Sequence, residues 1–231
     1  MGCSRHSLIL AILLTAAIGT AHAQTVSGKP VSRVPDTAGW FPLFNGKDLS
    51  GWMTFDPGGW SVTNGGELRG RGPRSYLFSP ATYRNFILQT EARLNAKGES
   101  GILLRTVLET GAPKGYEVQL CHTGDDAQKT GSLYNFEKVA KSDIVDGQWS
   151  MQTIAVIGNR ILIQVNGKLL VDYPDKESTY TDGHIAFEQY NPASQVTFKN
   201  VRIKPLPDDI AAALNGLEKI FPSLAEKKKT D

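Results

Sequence analysis

The sequence predicts an antiparallel β-sandwich closed by one short C-terminal helix. Three observations carry that expectation. Short runs alternate apolar and polar side chains, the period-2 signature of strands lying on a core. Turn residues punctuate these runs throughout, among them Asn45-Gly46, Asn64-Gly65-Gly66 and Asn166-Gly167. No long helical pattern separates the runs before the last stretch of the chain, which argues against βαβ units.

Taken in order, residues 25–37 are polar, carry Pro30 and Pro35, and read as a linker. Structure is expected to begin at Gly39-Trp40-Phe41-Pro42-Leu43-Phe44. Trp60-Ser61-Val62 and Glu67-Leu68-Arg69 form a hairpin across Asn64-Gly65-Gly66, and Tyr76-Leu77-Phe78 is a short strand closed by Pro80. Residues 86–94 alternate cleanly, with Phe86, Leu88, Thr90, Ala92 and Leu94 facing one way. Residues 99–105 and 115–120 are two further strands. Residues 121–146, rich in Gly, Asp, Lys and Ser, read as a long loop of the kind that often carries function. Residues 151–171 are a strong hairpin turned at Asn166-Gly167, and residues 183–188 are another strand. In the last strand the apolar phase slips between Phe198 and Val201, which predicts a bulge near Asn200. Beyond Pro205 and Pro207, the spacing of Ile210, Leu214, Leu217 and Phe221 predicts one helix over residues 209–221 that packs outside the sandwich through that stripe.

The chain has 231 residues, 40% hydrophobic and 21% charged, with a formal charge of +2. That length supports one domain with a real core. The balanced charge gives no reason to expect nucleic acid. Arg5 and His6 precede an apolar run over residues 8–14, and small residues lead to Ala21-His22-Ala23. This is the pattern of a secretory signal cleaved after Ala23, so the protein is expected to be periplasmic or extracellular. The run is too short for a membrane span. Cys121 would then be the one remaining cysteine, and no intrachain disulfide is expected. The domain plan is a signal peptide at 1–23, a linker at 24–38, the sandwich at 39–206, and the helix with a basic tail at 207–231.

No nucleophile elbow, zinc-protease motif, P-loop or dinucleotide-binding glycine motif occurs. The candidate site comes from the pleat. If Ile102, Leu104, Tyr116, Val118 and Leu120 face a core, Arg105, Glu117 and Gln119 stand together on the opposite face, with His122 at its rim. Those three residues could form a binding surface or an ordinary solvated face with one ion pair. Trp52, Tyr134 and Tyr190 are candidate sugar-stacking rings, because a pyranose has an apolar face and a polar rim. Trp60 is assigned to the core. Cys121 reads as a small buried residue. His122, Asp125 and Asp126 are a weak metal-ligand cluster.

Several motifs in order resemble a known family. They are Leu43-Phe44-Asn45-Gly46-Lys47-Asp48-Leu49-Ser50-Gly51-Trp52, Ser100-Gly101-Ile102-Leu103-Leu104-Arg105 and Gly115-Tyr116-Glu117-Val118-Gln119, followed by Thr130-Gly131-Ser132-Leu133-Tyr134, Gly183-His184-Ile185 and Phe198-Lys199-Asn200-Val201-Arg202-Ile203. The set resembles the 3-keto-disaccharide hydrolases, whose members share the concanavalin A-like lectin/glucanase sandwich. The resemblance implies a jelly-roll β-sandwich with a sugar site on its concave sheet. It implies action on glycosides whose 3-hydroxyl has been oxidised by a partner sugar 3-dehydrogenase. The family's Arg and Glu carry over onto Arg105 and Glu117. The chain departs from the pattern at Gln189 and Tyr190, where many members have Asp and His.

For such a substrate the expected chemistry is removal of the C2 proton, loss of the C1 substituent, and hydration of the product. Glu117 is then the expected base and Glu188 the alternative base. Arg105 is the expected enolate stabiliser, with a divalent metal as a substitute. Gln119, His122, Trp52, Tyr134, Gln189 and Tyr190 are the expected substrate contacts. A non-catalytic carbohydrate-binding module, or a surface interaction domain, would use the same fold.

Overall fold

The structure is a computed structural model that describes residues 24–25, 34–55 and 59–227. The signal-peptide residues lie outside the described residues. Short pieces come first: β1 (Gln24–Thr25), β2 (Phe41–Pro42) and β3 (Met53–Thr54). A hairpin follows, β4 (Trp60–Val62) and β5 (Leu68–Arg71). The longer strands are β6 (Ser75–Tyr83), β7 (Phe86–Leu94), β8 (Glu99–Thr106) and β9 (Tyr116–Cys121). After the loop come β10 (Trp149–Ile157), β11 (Arg160–Val165), β12 (Lys168–Pro174), β13 (Gly183–Gln189) and β14 (Gln195–Pro205).

The strands form two antiparallel sheets. One has six strands in the order β1-β3-β6-β13-β8-β9. The other has eight, in the order β12-β11-β10-β7-β14-β5-β4, with β2 paired to β14. The jelly-roll sandwich expected from the sequence is therefore the fold. Alternation sorts the side chains. Leu77, Ile102, Leu104, Tyr116, Val118, Ile185 and Phe187 of the first sheet meet Leu88, Ile154, Ile163 and Phe198 of the second in one buried core. Trp52 is fully buried there, its ring 5.7 Å from Phe187. Trp60 stacks on Phe198 at 6.5 Å, as assigned.

Two local expectations from the sequence are met. Asn166 and Gly167 both take positive φ, 48° and 83°, which a tight turn between right-twisted strands needs. The β7–β14 pairing shifts register between Lys199 and Arg202, and Asn200 sits at φ 53°. That is the bulge inferred from the slipped apolar phase.

The C-terminal segment differs in detail from the expected helix. It breaks into α1 (Ile210–Leu214), a 3₁₀ turn (Leu217–Lys219) and α2 (Ser223–Lys227). Asp209 caps α1 by accepting from the Ala212 N–H at 2.8 Å. Gly216 then takes φ 75°, a left-handed step that ends the helical path. The segment does pack outside the sandwich, against Trp40, Ile87, Ala155, Ile157 and Leu162. It does so through Ala213, Leu217, Phe221 and Leu224, while Ile210 and Leu214 stay 42% and 36% exposed. The break rotates the stripe, which a uniform 3.6-residue period does not anticipate.

Candidate active site

The outer face of the six-stranded sheet carries the site. Its register is explicit: Tyr76 opposes Glu188, Phe78 opposes Ala186, Ala186 opposes Leu103, and Leu103 opposes Glu117. Gly101 opposes Gln119. Continuing the β13–β8 register sets Glu188 against Gly101, so Gly101 lies between the two glutamates. A Cβ at Gly101 would fall 2.2 Å from Glu117 Oε1. The Glu117 carboxylate thus lies across the Gly101 backbone, and a side chain at 101 would displace it.

Glu188 is buried, 5% exposed, and Glu117 is half-buried. The Tyr76 hydroxyl donates to Glu188 Oε1 at 2.8 Å, and Arg74 Nε approaches the same oxygen at 3.6 Å. The Arg74 guanidinium lies over the Tyr190 ring, 4.4 Å from its centroid. Gln119 can turn its amide nitrogen to Glu117 Oε1 at 3.3 Å and to the Ser100 carbonyl at 3.2 Å.

Burial first, then the charge of Glu188, pushes the Glu117 carboxyl up to about 8. Burial also raises Glu188, but the Tyr76 hydrogen bond and Arg74 oppose that rise. Both carboxyls therefore resist ionising, and of the two Glu188 alone accepts from a hydroxyl, so the donors of the site favour a charge there. Burial and the adjoining Glu188 charge push the Tyr76 hydroxyl well above its ordinary value.

The long loop closes the polar end of this face. It adds to the free edge of β9: Gly131 N–H donates to the Gln119 carbonyl at 3.0 Å, and Tyr134 N–H to the Glu117 carbonyl at 2.8 Å. The Thr130–Tyr134 motif therefore delivers Tyr134 beside Glu117. Burial and a hydrogen bond to Asp126 push the Tyr134 hydroxyl up to about 12.

The structure brings together Glu117, Glu188, Gln119, Tyr134 and Tyr190 from the residues expected on sequence grounds. Four others are corrected. Arg105 is not on this face. Between His184 and Ala186 the β8–β13 register shifts, so Leu104 and Arg105 together face Ile185, and Arg105 takes φ 50°. The extra residue breaks the alternation. The Arg105 guanidinium turns away, donating to the carbonyls of Arg84, Gly158 and Tyr180, each at 2.8 Å. Trp52 is core and presents no face to a sugar. Gln189 points to the interior, and its Nε2 donates to the carbonyls of Gly72, Asn191 and Ser194. His122 is 6% exposed and its Nδ1 meets Thr130 Oγ1 at 2.7 Å, so it is no rim group.

The expected cluster of His122, Asp125 and Asp126 does not assemble. Among the described residues no group of three or more His, Cys, Asp or Glu side chains is placed to hold a metal ion.

Arg74 and Tyr76 were missed on sequence grounds. The alternation of Tyr76, Leu77 and Phe78 is the signal that separates Tyr76 from the buried Leu77. What could not be read was which strand would lie beside it.

A family model described as the 3-keto-alpha-glucoside-1,2-lyase-like domain matches residues 39–204. No curated protein matches the chain significantly. Among solved structures, a Parabacteroides distasonis protein provisionally described as a glycosyl hydrolase is 26% identical, with TM-score 0.64 over 74% of this chain and 95% of that one. A Bacillus licheniformis β-glucanase is 18% identical, with TM-score 0.54 over 74% of this chain and 100% of that one. The Bacillus subtilis carbohydrate-binding module CBM66 is 18% identical, with TM-score 0.51 over 69% of this chain and 98% of that one. The last two likenesses show the fold alone.

Proposed function

Because the chain belongs to the 3-keto-alpha-glucoside-1,2-lyase-like family, and is thereby a carbohydrate-active protein, we propose that it cleaves 3-keto-glycosides by β-elimination between C1 and C2. The observation that carries this reading is the Glu117–Glu188 pair on one sheet face, in which Glu188 has the Tyr76 hydroxyl and Arg74 beside it and Glu117 has only the Gln119 amide.

The roles are assigned from those neighbours. Glu188 is the base. It takes the C2 proton, which the C3 ketone has acidified, and the C2–H electron pair becomes the enolate. Arg74 lies beside Glu188 and opposes the charge developing on the C3 oxygen. Tyr76 holds the Glu188 carboxylate in place. Glu117, still protonated, gives its proton to the C1 leaving oxygen as the enolate collapses. The products are an alcohol and a 2-hydroxy enone. Addition of water across that double bond would complete net hydrolysis. Glu188, the alternative base on sequence grounds, thus takes the base role in place of Glu117, and Arg74 replaces Arg105. Tyr134 and Tyr190, near the two carboxylates, would bound the sugar.

The ketone must be installed beforehand by an oxidoreductase acting on the C3 hydroxyl. We further propose that the chain is exported, on the strength of the apolar run at 8–14 and Ala21-His22-Ala23. Mass spectrometry of secreted protein should give Gln24 as the first residue.

The test is incubation with 3-keto-trehalose in D₂O. The expected result is release of glucose with an enone absorbance and deuterium at C2 of recovered substrate or hydrated product. Glucose release without any C2 exchange would overturn elimination. Binding without turnover would assign the chain to non-catalytic carbohydrate binding.

A further inference from the structure

Beside the carboxylates, the same face is apolar. Phe78, Ala186 and Leu103 form one row across β6, β13 and β8, and the row ends at Glu117. These three are buried, and Met53, Phe55 and Leu108 pack on them while remaining half exposed. The Phe55 ring meets Phe78 edge-on at 6.1 Å, and His184 meets Phe78 edge-on at 6.4 Å. Successive outward positions on a strand are about 7 Å apart, so this wall begins one row from the Tyr76–Glu188 row.

The division has a chemical direction. Arg74, Tyr76 and Tyr190 gather at Glu188, where the sugar ring would be deprotonated, and Gln119 and Tyr134 stand by Glu117 away from the apolar row. The register neighbour of Glu117, the proton donor to the leaving group, is Leu103. We propose that Met53, Phe55 and Leu108, backed by Phe78 and Leu103, form an aglycone subsite for an apolar aromatic group rather than a second sugar. A second pyranose would press its hydroxyls against side chains that neither donate nor accept hydrogen bonds. An aromatic aglycone would add a ring to an edge-to-face pair already present. The assignment rests on the elimination reading for which oxygen leaves.

The test compares 3-keto benzyl glucoside with 3-keto-trehalose. Benzyl alcohol is no better a leaving group than a sugar hydroxyl, so a preference for it reports binding. The expected result is a kcat/KM at least about tenfold higher for the benzyl glycoside, the scale of a hydrophobic pocket's discrimination. Phe55→Ala and Leu108→Ala, at half-exposed positions, should each cut that ratio about fivefold or more. Equal kcat/KM values, or a ratio untouched by both variants, would overturn the subsite and leave elimination standing. If neither ketone turns over, elimination fails, and calorimetry with unoxidised benzyl and methyl glucosides decides the subsite. Tighter benzyl binding, lost in Phe55→Ala, supports it; equal or absent binding overturns it.

Discussion

Arg105 and the Glu117–Glu188 pair lie on neighbouring strands of one sheet, yet they are opposite kinds of buried charge. Arg105 has its donors occupied: Nε, Nη1 and Nη2 reach three carbonyls from three separate turns, and Nη2 also meets Asn85 Oδ1 at 3.4 Å. Its charge is spread over acceptors and joins the β6–β7 turn, the β10–β11 turn and the segment before β13. The two glutamates share too few donors. Glu188 has Tyr76 and a 3.6 Å arginine, Glu117 has the Gln119 amide, and the two raise each other's cost of ionising. A satisfied buried charge holds a fold together. An under-satisfied pair is held in readiness for a proton.

The largest effect should come from breaking the satisfied cluster. Arg105→Met would strand several buried carbonyls and is expected to cost about 3–5 kcal/mol of stability. Urea unfolding measures the loss. Turnover per folded molecule should stay within about threefold, since the guanidinium does not reach the carboxylates. A variant that is fully folded and inactive would return Arg105 to the site.

Next is the unsatisfied pair. Glu188→Gln should lower kcat by roughly two to three orders of magnitude with any leaving group. Glu117→Gln should be severe for 3-keto-trehalose and mild for 3-keto 4-nitrophenyl glucoside, whose leaving group needs no proton. Equal losses on both substrates would deny Glu117 its acid role.

The pH dependence sharpens the same contrast. With Glu117 needed in its protonated form, activity on an alcohol leaving group should fall as pH rises through about 8. Stability follows the same group. Its folded value is raised above the ordinary 4.5, so its contribution is full below 4.5 and is lost as pH rises toward about 8. Glu117→Gln has no such loss. Its melting temperature should match wild type near pH 4 and exceed it by a few degrees above pH 8, measured by calorimetry. A variant that melts lower at pH 9 would mean that Glu117 is stabilised when ionised.

Arg74 should give the smallest effect. Its side chain is 45% exposed, so water screens it. Arg74→Gln should cost about tenfold in kcat/KM, with steady-state kinetics as the readout.

The strands, the turn at Asn166-Gly167 and the bulge at Asn200 were legible because each rests on local rules: period 2, positive φ, and a slipped phase. Glu117 and Gln119 were placed on the right face by the same pleat. The rule failed at Arg105 because one extra residue in β8, opposite Ile185, rotates everything after it. A bulge is set by the neighbouring strand, and β13 lies far along the sequence from β8. The end of the C-terminal helix at Gly216 shows a milder form of the same limit, since glycine permits a left-handed step without requiring one.

By itself, then, the sequence determined the sandwich, the family and both carboxylates with the amide neighbour of one, because side-chain alternation and turn chemistry act over a few residues. Only the tertiary structure decided that Tyr76 and Arg74 stand at Glu188, that Gly101 separates the two glutamates, and that Trp52, Gln189 and His122 are interior. Those facts depend on which strands lie side by side and on what each side chain must satisfy once water is gone. Pairing between β6, β13, β8 and β9 joins residues from Ser75 to Gln189, and no local pattern specifies such a meeting.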